Sequence, residues 1–316
     1  MTREKTKMVT SIGGQALIEG ILMRGPKKTS IAVRMPDGSI SNEYIDAELL
    51  GDKYKFLKLP LLRGIAGLID SMKLGYKAMK ISAEKSGADL EEEPTKFDMW
   101  LEKTFGDKLM NVIMGIAMVL GVGLSVLLFF VCPTWLFNLL SSAFPVLSGS
   151  MVYRAVFEGI LRTLILLVYL IMCSHVKEMK RVFKYHGAEH KTIFCYENEE
   201  ELTVENVKKH SRFHPRCGTS FLIIMLIVGV VVGMFIPITT PILRSIVKIL
   251  CIPVIMGIGY ELIRLCGRHD NIVTRIISAP GMWMQRITTK EPDDEMIEIA
   301  IEAIKKVIPE NGEDRL

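Results

Sequence analysis

Apolar positions in this chain fall into long blocks. No charged residue occurs from position 109 to 153. Residues 109–131 are long enough to cross a hydrocarbon core of ~30 Å as a helix. Pro133 then interrupts, and 135–147 continues apolar with Ser141, Ser142 and Pro145. The pattern predicts one span followed by an interfacial or re-entrant segment, with Trp135 at the membrane surface. If 135–147 crossed instead, everything after it would invert. Three further blocks, 152–174, 218–238 and 245–263, predict spans two to four. The expected fold is therefore an α-helical integral membrane protein with about four transmembrane helices and a small α+β region at its N-terminus. Span two carries Arg154, Glu158 and Arg162 at four-residue spacing, which places them on one helical face. Charges at membrane depth face protein or water, so this triad lines a polar pathway or forms an ion pair that fixes helix packing.

The flanks read differently. Residues 1–108 predict a water-exposed α+β region with interfacial helices. Its first feature, GGQALIEGILMRGP at 13–26, suggests turns with backbone approaching something closely; it matches neither dinucleotide nor P-loop spacing. Ile31, Val33 and Met35 alternate with small or polar residues before Pro36-Asp37-Gly38, a β-hairpin signal. Residues 56–83 are apolar on a wide face with Arg63, Lys73, Lys77 and Lys80 elsewhere, as in helices on a membrane surface or a core helix of the N-terminal region. Residues 84–95 form an acidic linker. In the tail, Ala279-Pro280-Gly281 predicts a turn. Residues 293–308 predict an amphipathic helix with an acidic first turn, a basic last turn and Met296, Ile299, Ala300, Ala303 and Val307 on one face.

Composition supports the membrane reading: 49% of the 316 residues are hydrophobic and mean hydropathy is +0.31. A net charge of +4 is too small to argue for nucleic acid. Its distribution matters more. Residues 175–217 carry nine Lys and Arg, whereas the connection after span one carries only Arg154 and that between spans three and four only Arg244. By the positive-inside rule, the N-terminal region, the central loop 175–217 and the C-terminal region 264–316 share the cytoplasmic side, with 109–174 and 218–263 as transmembrane pairs. No Cys-x-x-Cys, disulfide framework or cleavable signal peptide is visible.

Candidate chemistry is concentrated in 185–220. His186 and His190 are four apart, as are His210 and His214, so each pair can present two imidazoles from one helical face. The first pair spells H-x-x-E-H, the inverzincin pattern in which two His hold zinc and the Glu, here Glu189, is general base. Cys217 follows His214 by three and adds a thiolate. The candidate ligands are thus His186, His190, His210, His214 and Cys217. The ion would be divalent, zinc first, with Glu189 taking a proton from metal-activated water. A hydrogen-bonded polar knot and a pH-responsive His cluster are the alternatives.

Six stretches together carry a resemblance: GGQALIEGILMRGP at 13–26, LPLLRG at 59–64, YHGAEHKTIFCYE at 185–197, HPRCGTSF at 214–221, YELIRLCGRHDN at 260–271 and APGMWMQ at 279–285. The sequence resembles the bacterial YqhQ family, multi-pass membrane proteins of unknown function often labelled metal-dependent enzymes. The resemblance implies membrane location and a metal site, and supplies no substrate. Three functions are open: a metal-dependent hydrolase acting on a lipid headgroup or membrane-protein substrate at the cytoplasmic face; a transporter or lipid-moving protein, which with four spans would need to form a homo-oligomer; and a membrane scaffold with a structural His/Cys cluster.

Overall fold

A computed structural model of the chain describes residues 6–46, 49–87, 116, 119–147, 149–269 and 271–315. The chain forms two compact units. One comprises Met1–Asp89, Tyr169–Met225 and Met256–Leu316; the other comprises Leu90–Val168 and Leu226–Ile255.

The first unit is built on a four-stranded antiparallel sheet in chain order: β1 (Gly13–Leu17), β2 (Gly20–Arg24), β3 (Thr29–Arg34) and β4 (Ile40–Tyr44). The β3–β4 hairpin forms where Pro36-Asp37-Gly38 predicts it: Gly38 takes φ 83° and Asp37 Oδ1 accepts the Ser39 amide at 2.9 Å. The glycine-rich stretch read as turns is itself the β1–β2 hairpin, with Gly14 opposite Met23 and Glu19 at φ 49° in its turn. Period-two alternation sends Ile21, Met23 and Ala32 to one face of the sheet and Leu22, Ile31 and Val33 to the other. Against the first face pack α5 (Lys177–Glu197) and α11 (Asp294–Lys305), through Tyr185, Ala188, Ile193, Ile297 and Ala300. Against the second packs α2 (Leu62–Ser86), which follows the short α1 (Leu50–Lys53), through Leu74 and Ala78. With both faces covered, β2 and β3 read as nearly continuous apolar runs.

The tail helix α11 forms as its pattern predicts: Asp293 caps it by accepting the Met296 amide at 3.1 Å, and Met296, Ile299, Ala300 and Ala303 are all buried. In α2 a stripe of Ala66, Asp70, Leu74, Ala78 and Ser82 is buried, while Ile69, Met72 and Tyr76 stay exposed. The core role therefore holds for one face of α2 only. Ala279-Pro280-Gly281 does not make the turn expected of it but lies inside α10 (Ile272–Thr288); the glycine serves packing, since a Cβ at Gly281 would stand 2.5 Å from Ser220 Cα. Gly187 likewise lies within α5, where a Cβ would strike the Lys290 carbonyl. The chain breaks instead at Val176, which is extended between α4 (Met151–His175) and α5.

Two helices are long and apolar enough to cross a membrane, α3 (Val119–Ala143) and α4, each of 25 residues. A third candidate is the pair α8 (Pro241–Leu250) and α9 (Ile252–Arg268), bent by 49°. The remaining apolar helix, α7 (Gly218–Met234), has 17 residues, short of the ~20 that a span needs. The described residues thus hold two or three such helices against four expected spans. The start of the first expected span and most of the acidic linker lie outside the described residues.

In the second unit, the expected break at Pro133 does not occur; α3 continues through it. A π-helical turn at Leu127–Val131 precedes the proline and widens the helix where its ring would clash. The Phe129 carbonyl, four residues before Pro133, accepts Arg162 Nε at 2.6 Å instead. The charged face of α4 converges on Glu158, which is fully buried. Arg154 and Arg162 approach it only to 4.0 Å. Its close partners come from α8: Arg244 Nε donates at 3.0 Å and Lys248 Nζ bonds its other oxygen, while Thr134 of α3 donates at 3.0 Å. The cluster pins α3, α4 and α8 together, the packing role rather than a pathway. Arg244, expected in a loop, is turned inward and buried.

Candidate metal centre

The site assembles on α5. Its register puts His186, Glu189 and His190 on one side, and the 210–217 segment returns after α6 (Val204–Lys209) to bring Cys217 beside them. One ligand atom each from His186, His190 and Cys217 lies within 4.8 Å of the others. His186 Nδ1 is 2.9 Å from the Thr288 carbonyl, and His190 Nδ1 is 2.6 Å from the Arg212 carbonyl. A carbonyl only accepts, so each Nδ1 carries a proton and each ring turns its Nε2 toward the site. His186 Nε2 faces Cys217 Sγ at 3.2 Å. His190 Nε2 is buried without a hydrogen-bond partner. This is the arrangement in which backbone carbonyls orient metal-binding imidazoles.

The electrostatics pair a His186 imidazolium with a Cys217 thiolate, holding a proton that a bound metal ion would displace. Burial raises a thiol, yet the adjoining imidazoles override it and hold Cys217 well below the ordinary thiol range. Burial opposes charge on His186, but the Cys217 sulfur, Glu189 and the Thr288 carbonyl bring it up to about 9. Burial pushes Glu189 above the usual carboxylate range, with His186 and His190 opposing. Glu189 accepts the Gly14 amide at 3.1 Å.

The remaining expected ligands stand elsewhere. His214 is adjacent, its ring 5.6 Å from that of His190, but its Nε2 faces Glu197 at 3.6 Å. Burial takes it down to about 4, so it is neutral at pH 7. His210 belongs to a separate group with Cys195 and Glu200, 3.3 Å from the Glu200 carboxylate. There burial and Glu200 push Cys195 up to about 11, leaving a protonated thiol. The second i,i+4 pair does not act as a pair because 210–217 is not helical.

Sequence reasoning missed the residues that support the ligands. Gln285 accepts the His214 amide at 2.7 Å and donates to the His214 carbonyl at 2.7 Å and to Ser220 Oγ at 3.1 Å, fixing the segment that delivers Cys217. Arg216 bonds Glu197 and the Thr10 carbonyl. Glu19 bonds Arg181 and accepts the Tyr185 hydroxyl at 3.1 Å, clamping β1–β2 to the first half of α5. Arg63 bonds Glu261 through Nε at 2.6 Å, and a Cβ at Gly64 would press on Tyr260 at 2.7 Å. The six motif stretches thus pair in space: 13–26 with 185–197, 214–221 with 279–285, and 59–64 with 260–271.

A cavity of about 710 Å³ opens onto this group. It is lined by His186, Glu189, His190 and Cys217, by Gly14, and by residues of α2 and α9.

These features define a mostly helical protein with apolar helices long enough to cross a membrane, a small antiparallel sheet and a His–His–Cys group, half-buried at His186 and buried at His190 and Cys217, that opens to a cavity. Residues 59–310 match the family described as "Protein of unknown function (DUF1385)", and the chain belongs to that family. It is 35% identical over 305 residues, 96% of this chain and 94% of the other, to "Uncharacterized protein YqhQ" of Bacillus subtilis (strain 168). No solved structure matches.

Proposed function

We propose that the chain is a metal-dependent hydrolase of the cytoplasmic membrane face, crossing four times through α3, α4, α7 and α8–α9. The charge distribution supports that orientation. With Arg244 buried, residues 235–240 before α8 carry no Lys or Arg, whereas 175–217 carry nine. An impermeant maleimide should reach a Glu205→Cys variant only from the cytoplasmic side; labelling from outside would overturn the topology.

His186 Nε2, His190 Nε2 and Cys217 Sγ would hold the ion, and two imidazoles with a thiolate favour zinc. When bound, such an ion acts as a Lewis acid and lowers the pKa of water toward ~7. This chain's residues supply the rest. Thr288 and Arg212 carbonyls fix the imidazole tautomers. Glu189, a raised carboxylate facing the cavity, takes a proton from water and returns it to the leaving group. The single observation that carries this reading is His190 Nε2: buried, unpartnered, oriented by a carbonyl and grouped with His186 and Cys217. The test is Glu189→Gln, which keeps size and hydrogen bonding but cannot accept the proton. It should abolish complementation of a deletion strain with protein abundance unchanged. Full complementation would remove Glu189 from the chemistry.

A further inference from the structure

The cavity walls carry more charge than the ligand group uses. Most of it is matched. Lys58 pairs with Asp52 at 2.9 Å, Arg63 with Glu261 and Arg216 with Glu197. The acids inside have partners too: Asp70 accepts the Leu50 amide at 3.1 Å, and Glu189 accepts that of Gly14. Arg24, at the end of β2, and Arg264, in the later half of α9, both line the cavity and are half-buried. Neither guanidinium makes a hydrogen bond or ion pair among the described residues, although Arg264 lies near enough to Glu261 to feel its charge. Two half-buried guanidiniums with no bonded partner among the described residues, in a cavity whose carboxylates are already hydrogen-bonded, leave their fork donors to an incoming group.

We propose that Arg24 and Arg264 form an anion-binding wall for a phosphate monoester, which presents its phosphoryl group to the His186–His190–Cys217 group. Arginine suits this role because its planar fork matches phosphate oxygens bidentately. The same cavity is lined by Tyr260, Ile263 and Gly267 of α9, part of the bent apolar pair, and by Gly218, the first residue of apolar α7. That placement brings the wall to the level of lipid headgroups, so the phosphate belongs to a phospholipid headgroup or to a small soluble ester. The proposal rests on the metallohydrolase reading for what happens to the bound group, and on the arginines alone for its binding.

The test uses full-length protein in detergent, its metal content measured in parallel. Calorimetric titration is run with glycerol 3-phosphate, with dihexanoyl phosphatidic acid and with dihexanoyl phosphatidylcholine as the zwitterionic control. Wild type should bind the two monoesters and not the control. Arg24→Gln and Arg264→Gln should each weaken binding about tenfold or more while metal content stays at the wild-type level, and Arg24→Lys should restore part of it. Tighter binding of the acylated ester identifies a lipid source; equal binding identifies a soluble one. Absence of monoester binding, or affinity indifferent to both glutamine variants, overturns the proposal. Arginine-dependent binding by a wild type that carries no metal would overturn the metallohydrolase reading and leave the anion wall standing.

Discussion

Gly14 has no side chain, and that absence lets the backbone reach Glu189. A Cβ at this position would stand 2.9 Å from Glu189 Cγ and Cδ and 2.8 Å from the Leu22 carbonyl. Gly14→Ala must therefore shift the carboxylate or the β1–β2 hairpin, an overpacking cost of about 1–3 kcal/mol. Thermal unfolding should show that loss, and Glu189-dependent complementation should fall with it. An alanine variant with wild-type stability and function would mean that the approach is not needed. At this scale the sequence said a great deal about which residues matter and little about why. H-x-x-E-H identifies His186, Glu189 and His190 because helical spacing is local. Cys217 was reachable as a nearby thiol. The pairing of Glu189 with Gly14, 175 residues away, and of His214 with Gln285 depends on tertiary contacts that no local spacing encodes. His210 was drawn in by an i,i+4 rule that presumes a helix where the chain has none.

Among elements, α4 shows the same division. Its apolar block and the four-residue spacing of Arg154, Glu158 and Arg162 were visible. The partners that neutralise Glu158 were not, because Arg244 and Lys248 lie in α8, 86 and 90 residues on. Arg162→Ala does not strand Glu158, whose near bonds go to α8. Its cost is that of the Phe129 carbonyl left unbonded, about 1–3 kcal/mol, whereas Glu158→Gln leaves buried cations without a counter-charge and should cost about 3–5 kcal/mol. Thermal stability in detergent distinguishes them; equal losses would place Arg162 on par with Arg244 as a partner. Pro133 misled for a related reason. A proline usually ends a helix, but a π-turn before it and Arg162 on the Phe129 carbonyl let α3 continue. The glycines of 13–26 concealed a hairpin because alternation shows only where side chains do, and Pro280 concealed a helix.

For the whole molecule, the reading joins a sheet, a helix carrying H-x-x-E-H and a returning segment into one donor set whose imidazoles are already oriented. The central claim is that this set binds a metal ion, and the most direct measurement is elemental analysis of detergent-purified protein prepared without chelators. Wild type should carry about one zinc per chain, Glu189→Gln near-stoichiometric zinc, and His190→Ala and Cys217→Ser none, since losing one of three protein ligands breaks a site of this kind. Metal-free wild type would contradict the claim and leave His186, His190 and Cys217 as a structural knot, and loss of zinc from Glu189→Gln would make Glu189 a ligand or its support rather than the base.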